Sequence, residues 1–138
     1  MVSTTIQLRQ HPGLTALRRP LRFPTAALLL ATAGIHIPII GQHLREAPYI
    51  GVLFILLALV ATVLAVLLLT RDCTLVWLAS AGMTIAAVLA YVLSRSIGLP
   101  QIGDDIGNWL DPLGLAALSV ETLTVVAAIW VLRSRDQA

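Results

Sequence analysis

Residues 47–70 read APYIGVLFILLALVATVLAVLLLT, twenty-four positions without a Lys, Arg, Asp or Glu. A helix needs about 20 such residues to cross a hydrocarbon core about 30 Å thick, at 1.5 Å per residue. A soluble domain has no use for so long an uncharged run, because one of its helix faces must meet water. Three further runs, uncharged or nearly so, flank it, Phe23–Leu44, Cys73–Ser94 and Pro112–Leu132, separated by short polar connections. The fold class that follows is an all-α membrane protein, a four-transmembrane-helix bundle. Its spans cover about 23–44, 47–70, 73–94 and 112–132.

Composition agrees. Of 138 residues 58% are hydrophobic and only 12% charged, about half the charge of a typical soluble domain, and the mean hydropathy is +0.91. The formal charge of +2 and the lack of any basic-aromatic constellation exclude a nucleic-acid partner. Cys73 is the single cysteine, so there is neither an intrachain disulfide nor a CxxC site, and it reads as a free thiol. The basic residues ahead of AALLLATA mimic a signal peptide. The apolar stretch continues through Ile35, Ile37, Ile39 and Ile40, beyond the 7–15 residues of such a segment, and reads as a span.

Arginine sets the expected orientation. Arg9, Arg18, Arg19, Arg22, Arg71, Arg133 and Arg135 fall on one side, and Arg45 and Arg95 on the other. Seven against two predicts both termini in the cytoplasm, N-in/C-in. Residues 1–22 then form a cytoplasmic basic tail, flexible before Arg18, residues 133–138 a second tail, and residues 95–111 the outer loop. That loop, RSIGLPQIGDDIGNWLD, is amphipathic and is expected to lie at the headgroups or to cap the bundle. Pro38 is expected to kink or loosen the first helix. Pro48 and Pro112 suit helix starts, with Asp111 capping the fourth. The turn at 71–72 makes helices 2 and 3 antiparallel neighbours.

Polar residues inside the apolar runs are the candidates for function. Glu121 lies nine residues after Pro112 and His36 eight before Leu44, hence roughly 13 and 12 Å below the same boundary. A mid-span acid costs a few kcal/mol to insert, so it faces the bundle interior and finds a partner; His36 is the expected one. Gly114, Ala117, Glu121, Thr124 and Ala128 form a small or polar stripe on helix 4. Ser80, Thr84, Ala87, Tyr91 and Ser94 form another on helix 3, with hydroxyls expected to bond across the contact. Helix 2 offers only Ala58, Ala61, Thr62 and Ala65 and reads as the most lipid-exposed.

His43 shares a helix face with His36, and Glu46 lies three residues beyond it. His36, His43, Glu46 and Glu121, with Tyr91 and Thr84 as further polar neighbours, make up one candidate site. As ligands they suit a divalent transition metal, zinc, copper or iron. No nucleophile elbow, phosphate loop or HExxH motif is present, which leans against an enzyme. Arg95 reads as a snorkelling anchor, and Asp104 and Asp105 as solvated loop residues.

The segment SRSIGLP at 94–100, with the histidine-bearing first span, resembles a group of small four-span bacterial integral membrane proteins. The resemblance implies the same architecture and a bacterial plasma (inner) membrane, and brings no activity, ligand or catalytic residue. Three functions stay open: an accessory or structural subunit of a membrane complex or homo-oligomer, a metal-ion or small-ligand binding protein with an outward-facing His/Glu site, and a small proton-coupled transporter. Lipid is the one partner common to all three.

Overall fold

The computed structural model describes residues 12–136, with side chains over 20–134. Four helices, α1 (Pro12–Glu46), α2 (Pro48–Thr70), α3 (Thr74–Ser96) and α4 (Pro112–Asp136), account for nearly all of it, with one 3-10 turn at Gly103–Asp105. All four contain a stretch long and apolar enough to cross a membrane: Pro20–Glu46, Pro48–Thr70, Thr74–Ser96 and Pro112–Ser134. The helices form a ring in the order α2, α1, α4, α3, and the seam between α3 and α2 is the thinnest.

The expected tail differs. Helix α1 begins at Pro12, so residues 12–17, expected to be flexible, are helical and continuous with Arg18, Arg19 and Arg22; residues 1–11 lie outside the described residues. It also runs through Pro38 to Glu46. Pro38 is exposed, so its ring sits on the bundle's outer side and disturbs no helix contact. The other helix ends lie within four residues of the expected boundaries, those at Thr70 and Pro112 coinciding with them, the scale on which helix ends fray.

Each helix start has a local cause. Pro48 opens α2 at a position whose missing N–H costs nothing. Asp111 caps α4 as expected, its Oδ2 accepting from Gly114 N–H at 2.6 Å. The α2–α3 turn places Asp72 at φ 36°, a left-handed conformation that a short polar residue tolerates. Asp72 Oδ1 then accepts from the indole of the fully buried Trp77 at 2.6 Å.

Packing is uneven along the bundle. At the turn end, Leu29, Leu64, Leu68, Trp77, Ala128 and Val131 form the main apolar core. Further along, only Ala33, Ala58 and Ala61 close the centre. At the opposite end Ala47 and Ile50 meet Ile102 of the 97–111 loop. That loop therefore caps the bundle with Ile102, while Ile97, Leu110 and Trp109 point outward. Between these two ends the helices do not fill the interior.

The stripes on α3 and α4 turn inward as expected. Ser80, Thr84, Ala117, Glu121, Thr124 and Ala128 are all buried. Their hydroxyls do not bridge helices. Ser80, Thr84 and Thr124 donate to the carbonyls of Val76, Ser80 and Val120 on their own helices, the back-bonding that satisfies a hydroxyl without a partner helix. Helix α2 is no more exposed than α3 or α4. Its alanines admit α1 closely, whereas Thr62 is exposed and bonds Ala58.

Candidate functional site

The space left between the two ends is a cavity of about 760 Å³ reached by all four helices and by the 97–111 loop. Pockets of 300–1,000 Å³ hold small organic molecules. Two alanines on α3, Ala86 and Ala90, and two leucines on α2, Leu53 and Leu56, border it while exposed at the bundle surface. The cavity therefore reaches the outside along the thin α2–α3 seam.

Glu121 is the deepest polar group on its wall. It is 2% exposed, and its Oε1 is fully buried without a hydrogen-bond partner. The expected neighbour is in place: His36 Nε2 lies 4.0 Å from Oε1. That distance is too long for a hydrogen bond. His36 uses its other nitrogen, Nδ1, which lies 2.8 Å from the carbonyl of Thr32. A carbonyl only accepts, so Nδ1 carries the proton, and in the neutral ring Nε2 presents a lone pair. Nε2 and Oε1 thus face each other across 4.0 Å, on two residues that both border the cavity.

His43 repeats the arrangement two turns along, its Nδ1 donating to the carbonyl of Ile39 at 2.9 Å. Phe54 of α2 lies against both imidazoles, with ring centroids 4.9 Å from each. The phenyl ring fills the gap between the histidines. Glu46 borders the cavity but is exposed, and its carboxylate accepts from Gln42 at 3.1 and 3.3 Å. Tyr91 borders it as well, with its hydroxyl donating to the carbonyl of Trp109 at 3.1 Å. Thr84 is buried away from the cavity lining.

The candidate site is thus only partly assembled. His36 and Glu121 meet, while His43 and Glu46 stand apart from them. Among the described residues no three of His, Cys, Asp and Glu converge as a metal ion would require. The four residues expected to suit zinc, copper or iron are not gathered at one point: a continuous α1 keeps His43 two turns from His36.

Arg95 corrects a second expectation. It is 9% exposed, not extended to the surface. Its Nη1 pairs with Asp105 Oδ2 at 2.6 Å, and its Nε donates to the carbonyl of Asn108 at 2.9 Å. The guanidinium lies 4.9 Å above the Tyr91 ring, and the Arg95 carbonyl accepts from Gly107 N–H at 2.9 Å. Asp105 is therefore a partner in a loop staple and not a free solvated acid. Gly98 and Gly107, at φ 80° and 79°, provide the reversals that bring the loop back over α3. The paired glycines were the available signal for this fold-back. Nothing in the spacing singled out Phe54, an unremarkable apolar residue in a uniformly apolar run.

No family model, no curated protein and no solved structure matches the chain.

Proposed function

We propose that the protein is a multi-pass membrane protein that binds a small ligand in the four-helix cavity through Glu121 and His36. The observation that carries this reading is the buried, unpartnered Oε1 of Glu121 on the wall of a ligand-sized space. A buried polar atom without a partner costs about 1–3 kcal/mol. A residue serving only to fasten helices would relieve that cost with its neighbour, and His36 at 4.0 Å does not. A ligand that brings a donor does. The setting proposed with it is a bacterial plasma membrane, with both termini in the cytoplasm and the cavity's loop end outside, as the arginine distribution and the resemblance of SRSIGLP support.

The test uses Ala117, which borders the cavity one helical turn from Glu121. In a Cys73→Ser background, Ala117→Cys is expected to react with N-ethylmaleimide in native membranes. Ala90→Trp, which fills the seam, is expected to slow that reaction at least tenfold. Modification of Ala117→Cys only after denaturation in SDS would refute an accessible cavity. Impermeant maleimide on intact cells should label Asn108→Cys and spare Ser134→Cys; the reverse pattern would overturn the orientation.

A further inference from the structure

Resting on the cavity as a ligand site, we infer that its ligand class is an amphiphilic organic cation, an ammonium or amidinium head on an apolar body.

The head is specified by what the polar pair lacks. Nε2 of the neutral His36 ring and Oε1 of Glu121 are both acceptors, 4.0 Å apart, with no donor from the protein between them. A group with two or more N–H bonds and a positive charge satisfies both, and hydrogen bonds to an ionised partner are about twice as strong as neutral ones. An anion would instead meet two lone pairs. A hydroxyl has one proton to share between two acceptors.

Charge around the cavity acts in the same direction. Glu46, Asp104, Asp105, Asp111 and Glu121 border it against the single guanidinium of Arg95, and Arg95 is already paired with Asp105. A low-dielectric wall strengthens such a field and favours a cation at the cavity's loop end. The acids by themselves specify only a positive ligand; the orphaned Oε1 gives the place where its charge is received.

The remaining walls select an organic cation over a metal ion. An inorganic ion at Oε1 finds His36 and no third His, Cys, Asp or Glu among the described residues, too few for the four or more ligands these ions take. Next to the pair, Phe54 offers an aromatic ring, and Leu57, Val60, Met83 and Ala87 give aliphatic walls, which suit a hydrocarbon body. The exposed edge along α2 and α3 provides a path for such a molecule from the lipid side, so its apolar part need not cross water.

The experiment is protection from alkylation in neutral phosphatidylcholine vesicles. The full-length Cys73→Ser, Ala117→Cys protein is treated with N-ethylmaleimide in the presence of octylammonium, octanoate or tetramethylammonium. Octylammonium is expected to slow alkylation on the order of tenfold, octanoate to leave it unchanged, and tetramethylammonium to act only at far higher concentration. Glu121→Gln should remove the protection by octylammonium while alkylation without amphiphile continues. Ala87→Cys, on the facing helix, repeats the measurement without a change in α4.

The outcomes separate the two claims. If neither cysteine is alkylated in the native protein, the cavity reading itself fails. If both are alkylated but octylammonium and octanoate protect equally, or neither protects, the cavity stands and the cationic ligand is overturned. Equal protection by tetramethylammonium and octylammonium would remove the apolar body from the inference.

Discussion

Replacing Arg95 by Met keeps the aliphatic stem and removes the guanidinium. The structure sets the size of the effect. Three charge-assisted bonds are lost, to Asp105 Oδ2 at 2.6 Å, to the carbonyl of Asn108 at 2.9 Å and to the Ser94 hydroxyl at 3.2 Å. Inside a protein each is worth about 1.5–3 kcal/mol. The Asp105 side chain is 27% exposed, so water recovers part of its cost, and the low end applies. The stacking of the guanidinium over Tyr91 adds about 0.5–1 kcal/mol. The expected loss is about 4–5 kcal/mol, felt as opening of the 97–111 loop rather than of the bundle, whose apolar core lies at the other end. Since 1.4 kcal/mol is tenfold, hydrogen exchange of Gly107 N–H, which bonds the Arg95 carbonyl, should accelerate about a thousandfold. Arg95→Lys retains the charge but loses the planar fork and should recover only part. A double-mutant cycle with Asp105→Asn should show a coupling of about 1–2 kcal/mol. Unchanged exchange at Gly107, or additive behaviour with Asp105→Asn, would refute the staple and restore Arg95 to a surface anchor.

Substitutions at Gly114, Trp77 and Thr84 test the packing. A Cβ on Gly114 would lie 2.6 Å from Cε2 of Tyr91, so Gly114→Ala should cost about 1–3 kcal/mol in detergent unfolding, and Tyr91→Leu should relieve most of it. Trp77→Phe loses the indole bond to Asp72 and part of a fully buried ring's volume, and should cost about 2–3 kcal/mol. Trp77→Ala empties a fully buried site and should cost about 3–5 kcal/mol, read from the thermal midpoint. Thr84→Val should fall within about 0.5 kcal/mol of the parent, because its hydroxyl bonds its own helix and its loss breaks no tie between helices; a cost above about 1 kcal/mol would indicate a cross-helix bond.

Much of this molecule is legible in one dimension because lipid imposes one rule on every span. An uncharged run of span length is already a structural statement, as residues 47–70 illustrate, and the polar exception inside such a run must turn inward. Depth counting along two helices was enough to bring His36 and Glu121 to one level. Their contact distance was beyond it, since rotation of α1 against α4 is set by packing of small residues that no period encodes. The fate of Arg95 was hidden for a different reason. An arginine at a span end has the same local sequence whether it reaches for headgroups or folds back, and the deciding partner, Asp105, comes from an irregular loop ten residues later. The hydroxyls on α3 and α4 bond within their own helices because a helix offers each of them a carbonyl one turn back, closer than any neighbour. The cavity itself is the least legible feature, being the space that alanines at 86, 87 and 90 leave unfilled.

The central claim is that Glu121 and His36 hold a ligand rather than each other. Native mass spectrometry of the protein released gently from its own membranes tests this most directly, with Glu121→Gln, His36→Gln and the cavity-filling Ala90→Trp prepared alongside. The parent should carry a bound small molecule that all three folded variants have lost, with the Glu121→Gln, His36→Gln double mutant no worse than either single one. The same bound mass in the parent and all three variants, or none in any of them, would contradict the account and leave His36 and Glu121 as a pair buried only by the packing of α1 against α4.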